Sequence, residues 1–158
     1  MKRFLLAVLI TAAMGVNAQT LQNVQKTLDK QDRWTARDLM QPDELARILN
    51  DKKSKQPVIL NIGVVENIAG ARKTGAASKA ENLAALGETL KKLPKNSSVI
   101  IYCGCCPFDK CPNIRPAFNL MKGMGFVNGR LLNIPVNLQQ NWINKGYPML
   151  VDGAPGKG

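Results

Sequence analysis

Short, largely apolar runs recur along the chain at Val58-Ile59-Leu60-Asn61-Ile62, Val99-Ile100-Ile101-Tyr102 and Arg130-Leu131-Leu132-Asn133-Ile134. The first is bounded by Pro57 and Gly63. Runs of this length and continuity are the mark of strands covered on both faces. Helical patterns stand between them. Pro42 to Leu49 carries proline in its first turn and Asp43 and Glu44 where the helix dipole favours acids. Ser78-Lys79-Ala80-Glu81 has capping-box spacing, with Leu83, Leu86, Leu90 and Leu93 at helical intervals before Pro94. Ala117 to Met121 reads as a helix ended by Gly123 and Gly125, and Leu138 to Lys145 as a last one closed by Gly146. Strands alternating with helices predict an α/β domain, a mainly parallel sheet flanked by helices.

The N-terminus reads differently. Met1-Lys2-Arg3 is basic, Phe4 to Val16 is apolar, and Val16-Asn17-Ala18 supplies small residues at a cleavage point. This is the layout of a secretory signal peptide over residues 1–18, the apolar run being shorter than the roughly 20 residues of a membrane span. The expected product is periplasmic or secreted, with no membrane attachment after cleavage. A polar lead-in over 19–36, a domain over 37–151 and a Gly/Pro-rich flexible tail over 152–158 complete the expected organisation.

Composition removes whole classes of chemistry. The 158 residues contain no histidine, which excludes Ser-His-Asp and Cys-His nucleophiles and any His-ligated metal. Aromatic residues make up 5% of the chain, too few for a base-stacking surface, so the net charge of +11 is read as a solvated surface that steers small anions. No nucleic-acid partner is expected.

All four cysteines lie in one loop, Cys103-Gly104-Cys105-Cys106-Pro107-Phe108-Asp109-Lys110-Cys111, directly after a strand and before a helix starting near Asn113. In open α/β sheets the ligand crevice lies beyond the carboxyl ends of the strands. Backbone N–H groups of such a turn, with the helix N-terminus, hold anions and favour a thiolate. Lys110 and Arg115 add positive charge, and Arg115 can fork onto a sulfur oxyanion. Cys111, at the helix start, is one candidate nucleophile. Cys105 and Cys106 are candidates for a relay or for a disulfide with Cys111. The same four soft ligands also suit Cu(I), Zn or an iron–sulfur cluster.

Around this loop the chain resembles a rhodanese-like sulfurtransferase domain, over about Arg37 to Val151. Pro42 to Leu49 resembles the family's first helix, and Pro57 to Ile62 its second strand. Lys73-Thr74-Gly75-Ala76 resembles its isoleucine-proline-glycine-alanine step. Val99 to Cys103 resembles the strand that delivers the active-site cysteine. Gly125-Phe126, Trp142 and Gly146-Tyr147-Pro148 match the later landmarks.

The resemblance implies that Cys103 is the nucleophile and persulfide carrier. It would take sulfane sulfur from thiosulfate or a similar small anionic donor and pass it to a thiol acceptor, with no cofactor. Arg115, Lys110 and the Gly104 backbone would bind the donor, and a thioredoxin-like reductant is a candidate partner. The chain departs from the family at Asn61, where an aspartate is usual, at Gly63, where an arginine is usual, and in an enlarged loop between Cys103 and Arg115. The alternatives are a metal-binding or thiol-redox protein on this fold, or an inactive binding module. Trp142 and Trp34 are expected in the core and over the loop.

Overall fold

The computed structural model of the chain describes residues 34–151. The expected signal segment at 1–18, most of the 19–36 lead-in and the 152–158 tail lie outside the described residues. Five strands, β1 (Leu39–Met40), β2 (Val58–Asn61), β3 (Ala71–Lys73), β4 (Val99–Tyr102) and β5 (Gly129–Leu132), form one sheet in the order β1-β5-β4-β2-β3. Every pairing in it is parallel. Four α-helices accompany it: α1 (Pro42–Asn50), α2 (Ala80–Lys91), α3 (Ile114–Gly123) and α4 (Leu138–Asn141). The α/β architecture expected from the alternating pattern is the one observed. Among the described residues no helix is long and apolar enough to cross a membrane.

Period-two alternation divides each central strand between two cores. Leu60, Val99, Ile101 and Leu131 pack with Leu86 and Leu90 of α2 and with Ala117, Phe118 and Met121 of α3. Ile59, Ile100, Tyr102 and Leu132 pack on the opposite face with Leu45 of α1 and with Leu138 and Trp142. The sheet is thus sandwiched between α2/α3 and α1/α4. Cys103 continues the alternation of Val99 and Ile101 and falls on the α2/α3 side.

Several elements differ from their expected bounds. The capping box at Ser78 does not form: α2 begins at Ala80, and the N–H of Ser78 goes to Oδ1 of Asn113. The last helix is interrupted at Trp142, giving α4 and a separate 3₁₀ turn at Ile143–Lys145. Trp142 is fully buried and its Nε1 donates to the Pro148 carbonyl at 3.0 Å, so the indole's place in the core costs the helix its continuity. Gly146 closes the turn with φ +69°, as its position required.

The sheet order locates a crevice. From β2 the chain moves outward to β3, then returns to β4 on the other side of β2. Two neighbouring strands whose connections leave in opposite directions open a gap at their carboxyl ends, where ligands of α/β folds bind. The residues at that gap are those just after Asn61 and Tyr102, and they include Gly63 and Cys103.

Candidate active site

Cys103 emerges from β4 with 1% of its surface exposed. Gly104 then turns the backbone back with φ +85°, and its carbonyl accepts the Leu138 N–H at 2.9 Å. A side chain at 104 is doubly excluded, by this φ and by a Cβ that would lie 3.0 Å from Leu138 Cβ. The turn brings Cys105 Sγ to 3.2 Å from Cys103 Sγ, and Cys106 Sγ lies 3.5 Å from Cys105 Sγ. A 3₁₀ turn at Phe108–Lys110 carries the chain back to Cys111, which is buried at the foot of α3. The Sγ atoms of Cys103, Cys105 and Cys111 all lie within 4.8 Å of one another. All four cysteines are free thiols.

Donors converge on Cys103. The Cys111 thiol, the Cys105 N–H and the Asn113 amide hydrogen-bond to its sulfur, and together they overcome burial and lower its pKa from 9.0 to about 5. Hydrogen bonds to the charged form of an acid stabilise that form. The neighbours shift the other way. The Cys111 thiol is raised because it donates to Cys103, with burial adding to the effect. Cys105 is pushed up to about 12 by burial first, then by its contacts with Cys103 and Cys106. The arrangement favours a thiolate on Cys103 while Cys105 and Cys111 hold their protons more tightly.

Asn113 is 4% exposed and stands at the N-cap of α3, yet its side chain does not cap the helix. Its Oδ1 accepts the Ser78 N–H at 2.9 Å and its Nδ2 donates to Cys103 Sγ at 3.2 Å. Across the crevice, a Cβ on Gly63 would stand 2.7 Å from Cys103 Sγ. Only glycine leaves the sulfur where it is.

Behind the crevice the segment between β2 and β3 is tied from two residues. Asn61, fully buried, donates through Nδ2 to the Val65 carbonyl at 2.8 Å and to Asn67 Oδ1 at 2.9 Å, and its Oδ1 accepts the Gly63 N–H at 3.0 Å. Tyr102 accepts the Ile68 N–H and donates to the Glu66 carbonyl, each at 3.0 Å. The amide of Asn61 therefore fixes the loop with neutral hydrogen bonds.

The structure brings Cys103, Cys105, Cys106 and Cys111 together as one chain of sulfurs. Arg115 donates through Nη1 to the Asp109 carbonyl at 3.1 Å and lays its guanidinium over the Trp34 ring, 5.5 Å from its centroid. Trp34 also meets Phe108 and Phe118 edge-on, which puts it over the cysteine loop as expected. Lys110 is exposed at the end of the 3₁₀ turn. Sequence reading missed Asn113 as a partner of the sulfur and Gly63 as its required neighbour. The one signal for Asn113 was an asparagine at a helix start, which reads first as a cap. No family model matches the chain, and no curated protein matches it.

Proposed function

We propose that the chain is an exported rhodanese-like sulfurtransferase that moves sulfane sulfur from thiosulfate, or a donor like it, to a thiol through a persulfide on Cys103. The observation that carries this reading is a buried sulfur at the end of the central strand β4, ringed by hydrogen-bond donors that lower its pKa to about 5. A thiolate in that setting is a nucleophile at neutral pH.

The reaction has two displacements. The Cys103 thiolate attacks the outer sulfur of thiosulfate, the S–S bond breaks, and sulfite leaves with the bonding electron pair. An acceptor thiolate then attacks the outer sulfur of the persulfide and frees the Cys103 thiolate. The donors that hold the resting thiolate also stabilise the anionic persulfide, which is preorganised electrostatic stabilisation. Lys110, exposed on the loop, and Arg115, in the first turn of α3, are the residues we assign to meet the sulfonate end of the donor. The test is steady-state thiocyanate formation from thiosulfate and cyanide. Wild type turns over, and Cys103→Ser does not. Equal turnover by Cys103→Ser excludes the assignment.

The three clustered sulfurs favour a second reading, a soft-metal site. Cys103, Cys105 and Cys111 offer three sulfur ligands without any imidazole, a set suited to Cu(I). Titration of the reduced protein with Cu(I) against a chromophoric chelator tests this. One tightly held ion that is lost in Cys111→Ser supports the metal site, and no competition with the chelator removes it.

A further inference from the structure

We infer that Cys105 discharges the Cys103 persulfide internally, so that the protein releases sulfide and is returned to its thiol form by a dithiol reductant. This rests on the persulfide reading above and adds the fate of the sulfur. Its basis is the 3.2 Å approach of Cys105 Sγ to Cys103 Sγ, enforced by the left-handed turn at Gly104. The third sulfur, Cys111, also lies near Cys103 but is buried with 1% exposure, whereas Cys105 is exposed.

When the outer sulfur is in place, the inner sulfur of the persulfide is Cys103 Sγ itself, and Cys105 stands beside it. The Cys105 thiolate attacks that inner sulfur. A Cys103–Cys105 disulfide forms, the bond to the outer sulfur breaks, and hydrosulfide leaves with the electron pair. The proton given up by the Cys105 thiol passes to the outer sulfur of the anionic persulfide, which therefore leaves as hydrosulfide. The sulfane sulfur is reduced by two electrons and the two cysteines are oxidised by two.

The return step uses the same asymmetry. A dithiol attacks the exposed Cys105 sulfur, and Cys103, buried beside the Asn113 amide that donates to its sulfur, departs as the leaving thiolate. The second thiol of the reductant then closes on the mixed disulfide and frees Cys105. The partner is defined by this chemistry as a dithiol able to reach a disulfide at the rim of the crevice. A monothiol acceptor for persulfide sulfur is not required on this route.

The experiment is a single turnover of the fully reduced chain with stoichiometric thiosulfate under anaerobic conditions, reading sulfite, sulfide, free thiols and intact mass. Wild type is expected to release one sulfite and one sulfide, lose two thiols, and regain them with dithiothreitol. Cys105→Ser is expected to release sulfite normally, slow sulfide release by at least about 100-fold, and retain one added sulfur. Sulfite release with a lasting persulfide and unchanged thiols in wild type overturns the inference and leaves the persulfide reading standing. Sulfide release that survives in Cys105→Ser overturns the role of Cys105. Absence of sulfite removes the persulfide reading and this inference with it.

Discussion

Asn113 spans the crevice wall, with Nδ2 donating to Cys103 Sγ at 3.2 Å and Oδ1 held by the Ser78 N–H at 2.9 Å. The backbone ahead of α2 thereby aims the amide that steadies a sulfur at the end of β4. Because the amide is anchored at its other end, its donor stays directed at the thiolate. Asn113→Ala is expected to raise the Cys103 pKa by roughly one to two units, since a hydrogen bond to a charged group contributes about 1.5–3 kcal/mol. Cys111→Ala is expected to raise it further, because the Cys111 thiol is the largest stabiliser of the thiolate. Thiolate absorbance or the pH dependence of alkylation measures both. An unchanged titration in Asn113→Ala would show that the contact does not act on the sulfur.

The same sulfur makes stability depend on pH. Between about 5 and 9.0 the unfolded chain keeps the Cys103 proton and the folded chain has released it. The unfolded state binds more protons in that window, so stability rises with pH across it, by at most about 1.4 kcal/mol per unit. Above 9.0 the direction reverses, because Cys105 and Cys111 ionise in the unfolded chain while the fold keeps them protonated. Urea midpoints from pH 5 to 10 should therefore pass through a maximum. Cys103→Ser is expected to flatten the rising limb, and a rise of equal slope in that variant contradicts the assignment.

Asn61 supplies a test that runs against the family resemblance, which has an aspartate there. Its amide faces the Val65 carbonyl and Asn67 Oδ1, and a backbone carbonyl can only accept, so a donor is needed at that point. Asn61→Asp puts a carboxylate against those oxygens in a fully buried position. The expected loss is at least about 2 kcal/mol at pH 7. Repulsion raises the introduced acid's folded pKa, so its protonated form is the favoured one and the loss shrinks as pH falls toward about 4. Denaturant titrations at the two pH values measure this, and a variant as stable as wild type would show that the amide does not hold the loop.

How much of this was legible in the chain depends on burial and on adjacency. β2, β4 and β5 could be read because strands covered on both faces leave continuous apolar runs. The edge strands left no such trace: β1 is only Leu39–Met40, and two of the three residues of β3, Arg72 and Lys73, are exposed. Cys103 could be placed because it directly follows a run. Its neighbours could not, since Gly63 reaches it through the pairing of β2 with β4, and Asn113 through the packing of α3 beside the segment at Ser78. Local patterns do not encode which strands lie side by side. The capping-box spacing at Ser78 misled for the same reason: Asn113, distant in sequence, accepts the N–H that Glu81 would have accepted in a local box.

Arg115 separates two functions by its kinetics. It clasps the 3₁₀ turn through the Asp109 carbonyl and stacks on Trp34. If its charge also serves the donor, Arg115→Ala lowers kcat/KM for thiosulfate by at least about 10-fold, with Arg115→Lys recovering part of it. A loss of stability with kcat/KM unchanged would restrict the side chain to closing the loop.

The central claim is that sulfur is carried on Cys103. The most direct measurement is the intact mass and peptide map of reduced Cys105→Ser after one equivalent of thiosulfate, a background chosen because discharge is blocked in it. The expected result is one added sulfur, located on Cys103, labile to cyanide and absent when Cys103 is also changed to serine. No added sulfur, or the same sulfur retained without Cys103, would contradict the account.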